Sequence, residues 1–154
     1  MLYIEHLTKT FGEKKAVDDL SLHIAPGEIY GFIGHNGAGK TTTLKSVVGI
    51  QQFDSGRIMI GGHSIQDEPI ACKKMLAYIP DNPDLYEFMT GIQYLNFIAD
   101  IFGVEESARQ ERIRKYADLF ELTGDLAQPV AAYSHGMKQK LATVSYTHLR
   151  AHET

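Results

Sequence analysis

Residues Gly34, His35, Asn36, Gly37, Ala38, Gly39, Lys40 and Thr41 fit the pattern GxxxxGK[ST], and no other feature restricts the chain as much. The glycines allow backbone angles and close approaches that a side chain forbids. Successive N–H groups can then converge on one phosphate as a nest. The motif demands a strand before it and a helix after it, so that the helix dipole faces the same anion. Both are legible. Ile29, Tyr30, Phe32 and Ile33 cluster around Gly31, which predicts a strand over 28–33 buried on both faces, as in a parallel sheet. Leu44, Val47 and Val48 recur at helical spacing over 40–50, with Gly49 as the stop. Lys40 is placed to reach the β- and γ-phosphates as a point charge, and the Thr41 hydroxyl is placed to ligate magnesium. A dinucleotide fingerprint fits poorly, because the glycine spacing differs and the Lys-Thr pair would have no task. The expected ligand is a mononucleotide with its magnesium ion.

The rest of the chain reads as an ordinary globular sequence. Its 154 residues are 44% apolar and 22% charged, with 15 Lys and Arg against 19 Asp and Glu. The formal charge of -4 argues against a strongly basic nucleic-acid binder. Cys72 alone cannot form an internal disulfide, which points to a reducing compartment. No long apolar run reads as a membrane span, and no leader is visible. Residues 2–7 predict an edge strand, 17–24 an antiparallel strand, 57–60 a short strand turned by Gly61-Gly62, and 76–79 a further buried strand. A short helix is expected within 65–75. Thr90 caps an expected helix whose apolar face is Leu95, Ile98, Ala99 and Phe102. A second helix over 105–120 places Ile113, Ala117 and Phe120 together, and a third is expected from Met137.

The segment Tyr133, Ser134, His135, Gly136, Met137, Lys138, Gln139, Lys140 and Leu141, about a hundred residues after the phosphate loop, resembles the signature motif of ABC-type ATPases. The stretch 2–142 is similar to the first part of an ABC transporter nucleotide-binding domain, most of all to the ATP-binding subunits of bacterial ABC transporters, with those of exporters as one subtype it resembles. That resemblance implies an α/β fold: a P-loop NTPase core with N-terminal antiparallel strands and a helical subdomain, incomplete at the C-terminus. It implies a core at 1–85 and 127–143 and a helical subdomain at 86–126 that leans on a transmembrane partner. Phe11 matches the aromatic that stacks on adenine, and Gly34 through Thr42 match the phosphate loop. Asp81 stands where the family usually carries Gln, facing magnesium or the attacking water. Ser134 and Gly136 match the residues that cover the γ-phosphate of ATP bound to the opposite subunit. His135 replaces the usual Gly, so a strained backbone is one expectation there.

Plainer readings stand beside these. Phe11 also fits a turn or core aromatic, Asp81 a turn residue after Pro80, and Ser134 a helix cap. His35 and His135 read as loop residues, since no cluster has metal spacing.

From about Val144 the sequence departs from the family pattern, and 144–154 resembles an adapter or out-of-frame tail. The alternative is a natural short variant with an unusual terminal helix. The family's apolar strand ending in Asp, with the Glu that polarises water, is not found in these residues, so no turnover is expected of this polypeptide. The implied system is ATP and Mg2+, transmembrane permease subunits, a second nucleotide-binding subunit, and a peripheral place on the cytoplasmic face of a bacterial membrane. A soluble ABC-type ATPase of DNA repair or translation is the competing reading, and an inactive nucleotide-binding fragment is a third.

Overall fold

The computed structural model describes residues 1–149. They fall into two compact units, 1–76 and 77–149.

The first unit is built on a four-stranded sheet. Its strands are β1 (Leu2–Phe11), β2 (Lys14–Ile24), β3 (Ser55–Ile60) and β4 (His63–Ser64), in the order β2-β1-β3-β4 with every neighbour antiparallel. The strand expected at the edge is therefore central. β3 returns from some fifty residues away to pair with it, a partner that local sequence does not reveal. Ile4 and Leu7 are both buried although they are three residues apart. A strict two-residue alternation would put them on opposite faces. A bulge resolves this: His6 and Asp19 take positive φ values of 50° and 53° where the β1–β2 register shifts. Side chains hold the bulge. His6 Nδ1 lies 2.7 Å from Asp19 Oδ1, and the His6 N–H donates to Ser21 Oγ at 3.0 Å. The core of the unit joins Ile4, Leu7, Val17, Ile58 and Ile60 of the sheet to Val47, Ile65 and Cys72. Val47 lies on α1 (Lys40–Val47) and Cys72 on α2 (Pro69–Lys74).

Two expected strands do not form. Residues 28–33 and 76–79 are irregular, and no described residue pairs with either in a ladder. An isolated strand leaves its N–H and C=O groups to solvent, so an apolar run becomes a strand only when a neighbour supplies the ladder. Ile29 is accordingly 100% exposed and Ile33 94%. This corrects the reading of 28–33 as buried on both faces.

The second unit is helical. α3 (Gly91–Ile101) begins at a complete capping box: Thr90 Oγ1 accepts the Gln93 N–H and Gln93 Oε1 accepts the Thr90 N–H. α4 (Glu106–Leu119) follows after Gly103, whose φ of 65° ends α3. α5 (His135–Thr143) starts at the cap Ser134, two residues earlier than expected, and runs on as a wider π-type turn over Val144–Leu149. Tyr94, Leu95, Ile98, Ala99, Ile113 and Ala117 pack with Leu141, Ala142, Val144 and Leu149. Val144, Tyr146 and Leu149 of the departing tail thus pack in this core, and 150–154 lie outside the described residues. Replacing Thr90 with Ala is expected to lower the stability of this unit by about 1 kcal/mol, read by chemical denaturation. An unchanged midpoint would show that the capping box contributes nothing.

Candidate functional site

The phosphate-loop residues lie between the Pro26-Gly27 turn and α1. Gly37 and Gly39 adopt φ values of 85° and 93°, which L-residues rarely tolerate. The Ala38 N–H donates to the His35 carbonyl at 3.1 Å, closing a tight turn. His35 and Asn36 are exposed at its tip, and His35 Nδ1 lies 2.9 Å from the Asn36 carbonyl. Gly39 is the steric key. A Cβ there would stand 2.1 Å from the Ala16 carbonyl oxygen of β2 and 3.4 Å from Val17 Cγ2. The loop can therefore rest against β2 only with glycine at this position.

α1 opens directly from Gly39. The Thr43 N–H and its Oγ1 both donate to the Gly39 carbonyl, each at 2.9 Å, and Ser46 Oγ donates to the Thr42 carbonyl at 2.9 Å. Lys40 folds back over the loop. Its Nζ donates to the carbonyls of Gly34 and, at 2.8 Å, of His35. An ammonium thus sits at the mouth of a turn whose two positive-φ glycines admit close approach. An ammonium beside a helix N-terminus is an arrangement that attracts a phosphate group. Thr41 presents an exposed hydroxyl in the first turn of α1, and Thr42 is half-buried. An uncharged hydroxyl beside an anion cradle suits magnesium, which favours oxygen ligands and is completed by substrate phosphates.

Phe11 ends β1 half-exposed, 49%, with Lys9 Nζ 5.0 Å from its ring centroid. The Lys9 ammonium lies over one face of the ring, and the ring does not belong to the core. Residues Phe11, Gly34 to Thr42, Ala16 and Val17 all belong to the first unit.

The second unit carries Asp81, Ser134 and Gly136. Asp81 is exposed, and its backbone carbonyl accepts a hydrogen bond from Gln139 Nε2 at 3.1 Å. That bond ties the Asp81 loop to α5. Ser134 Oγ accepts the Met137 N–H at 3.2 Å, so the cap is real and its hydroxyl proton remains to donate. Gly136 is exposed in the first turn, with nothing within 4 Å of a Cβ built on it. His135 is helical and has no positive φ, so the expected backbone strain is absent. The motif is anchored from behind by Tyr133. Its buried hydroxyl donates to the Asp125 carbonyl at 2.7 Å, and burial pushes its phenol pKa up. Lys138 pairs with Glu87 and fixes the exposed side of the same helix.

Three supports went unseen in the sequence. Ala16 backs the loop from about twenty residues away, and Gln139 holds the Asp81 carbonyl; neither pairing has a local signal. Thr43 had one, since a hydroxyl four residues after Gly39 on a helix commonly bonds back to that carbonyl.

A family model described as ABC transporter matches residues 17–150. The chain belongs to the ABC transporter family. Two relatives in Bacillus subtilis (strain 168) agree with this. An uncharacterized ABC transporter ATP-binding protein, YhcH, is 36% identical over 141 residues, and the linearmycin resistance ATP-binding protein LnrL is 30% identical over 141 residues. Each alignment covers 92% of this chain and 45% of the relative, so the chain spans less than half the length of these proteins. A solved structure of the ATP-binding subunit of an ABC transporter superposes with a TM-score of 0.83 at 32% identity, covering 97% of this chain and 62% of that one. The ABC chain thus has the P-loop NTPase-like fold, with an antiparallel N-terminal sheet followed by a helical region. Among the described residues, no helix is long and apolar enough to cross a membrane.

Proposed function

We propose that this chain is the ATP-binding part of a bacterial ABC exporter subunit. The observation that carries the reading is Lys40 folded over a loop that holds two left-handed glycines and opens directly into α1. In this reading the backbone of Gly34, His35, Asn36, Gly37, Ala38 and Gly39 holds the β-phosphate, and Lys40 binds the β- and γ-oxygens. Thr41 ligates magnesium and Thr42 steadies the cradle. Magnesium, when bound, would supply charge neutralisation to the phosphates. Phe11 stacks on adenine, because an exposed ring at a strand end offers a face that needs no matching hydrogen bonds.

Asp81 offers a carboxylate to the metal or to the attacking water. Ser134 and Gly136 face the γ-phosphate held by a second nucleotide-binding subunit. There the Ser134 hydroxyl donates, and the N-terminus of α5 adds its positive end. In the same reading the helical subdomain at 86–126 bears on transmembrane permease subunits, which sets the protein on the cytoplasmic face of the membrane. The name of LnrL, a resistance protein, favours outward transport.

The 154-residue polypeptide is expected to bind Mg-ATP without turning it over. At about 100-fold excess over Kd, ligand linkage stabilises by about 2.7 kcal/mol, which raises Tm by roughly 5–10 °C. The test is a thermal melt with and without Mg-ATP, run beside a phosphate-release assay. No shift would remove the binding reading. Steady phosphate release that Lys40→Ala abolishes would overturn the expected inactivity.

A further inference from the structure

β1 runs past the point where β3 begins. Thr8 pairs with Ser55, the first residue of β3, while Thr10 and Phe11 pair with Lys15 and Lys14 of β2. Asp54 extends the β3 side of the ladder with its side chain. Its N–H donates to the Thr8 carbonyl at 2.9 Å, and its Oδ2 accepts the Thr10 N–H at 2.7 Å. A carboxylate thus stands where a longer strand would offer a backbone carbonyl. Its other oxygen, Oδ1, lies 3.4 Å from Lys9 Nζ, and the same ammonium lies 5.0 Å from the Phe11 ring centroid. Lys9 is held rather than left in water, since its side chain is only 14% exposed. The Thr10 N–H, helped by Lys9, holds the Asp54 carboxyl below its usual range.

We propose that Lys9 and Asp54 are positioning residues for the nucleobase: they seat the Phe11 ring so that adenine stacks on the face away from the Lys9 ammonium. This rests on the reading of Phe11 as the adenine platform. A half-exposed ring at a strand end can turn about its side-chain bonds, and stacking a base on it costs that freedom. Here the cost is met before the nucleotide arrives. Asp54 fixes the backbone one residue before the ring, through the Thr10 N–H. Asp54 also steers Lys9, whose ammonium holds one ring face by cation–π attraction. A surface ion pair adds little to stability, so the effect of this one falls on where the ring sits. Neither Lys9 nor Asp54 has to touch the nucleotide for this.

The test is calorimetric titration of the intact chain with Mg-ATP and with Mg-tripolyphosphate, which has the phosphates and no base. Base–aromatic stacking is worth about one to two decades of affinity, so Phe11→Ala is expected to weaken ATP about thirtyfold. Asp54→Ala keeps the ring but frees it, and is expected to weaken ATP about tenfold while leaving tripolyphosphate within about threefold. Asp54→Asn keeps an acceptor for the Thr10 N–H and is expected to recover most of that loss. The double variant, Phe11→Ala with Asp54→Ala, is expected to bind ATP no more weakly than Phe11→Ala alone, because Asp54 acts through the ring. Phe11→Ala that weakens ATP beside Asp54→Ala that does not would overturn the proposal alone. So would an Asp54→Ala loss equal for ATP and tripolyphosphate, which a general disturbance of the unit would give, or losses that add in the double variant. Unchanged ATP affinity in Phe11→Ala would overturn the platform reading and the proposal with it.

Discussion

Replacing Gly39 with Ala is expected to cost the first unit about 3 kcal/mol or more and to abolish nucleotide binding. Two independent penalties meet at this residue. Its φ of 93° lies where an L-residue is strained by about 1–3 kcal/mol. The added Cβ would also stand 2.1 Å from the Ala16 carbonyl, a backbone atom that cannot swing aside. Relief requires the loop to lift from β2, and that moves Lys40 and the start of α1 together. Gly136→Ala is the matched control. It adds the same methyl to open space in the first turn of α5, where alanine is the better helix former by up to about 1 kcal/mol. Chemical denaturation of both variants checks the contrast. A Gly39→Ala loss below about 1 kcal/mol would mean that the loop does not rest on β2.

Lys40→Ala is expected to weaken ATP binding about a hundredfold while leaving stability within about 0.5 kcal/mol. Charge-assisted hydrogen bonds contribute about 1.5–3 kcal/mol each, which corresponds to one to two decades of affinity. The fold does not need the ammonium, because the Gly34 and His35 carbonyls it bonds are exposed and water can replace it. Lys40→Arg is expected to rescue poorly, since a planar fork is too broad for a cradle shaped around a point charge. Calorimetric titration with Mg-ATP reads all three proteins. Equal affinity in the alanine variant would remove Lys40 from the site.

The parts of the fold that local sequence announces are those whose causes are local. The glycine spacing of the phosphate loop, the Thr90 and Ser134 caps, the Gly61-Gly62 turn and the face of Leu95, Ile98 and Ala99 all depend on neighbours within a turn or two. What failed depended on distant partners. Residues 2–7 looked like an edge because nothing nearby shows that β3 will pair with them. Residues 28–33 looked buried because their side chains are apolar, yet burial also needs a ladder neighbour, and no described residue supplies one.

The candidate site divides the same way. The strand-end loop followed by a helix opening at Lys40 was legible from the motif, whereas the Ala16 carbonyl that makes Gly39 obligatory was not. The bulge at His6 and Asp19 was equally hidden: both residue types are enriched at positive φ, but the cross-strand pairing that places the bulge there has no local signal.

The central claim is that residues 34–41 recognise a polyphosphate. Its most direct test is a titration of the intact chain with ATP, ADP, AMP and adenosine at fixed magnesium. A loop that works through Lys40 and converging N–H groups predicts clear binding of ATP and ADP, with AMP weaker by at least about tenfold and adenosine weaker still. Equal affinity for ATP and adenosine, or no binding of ATP at millimolar concentration, would contradict it.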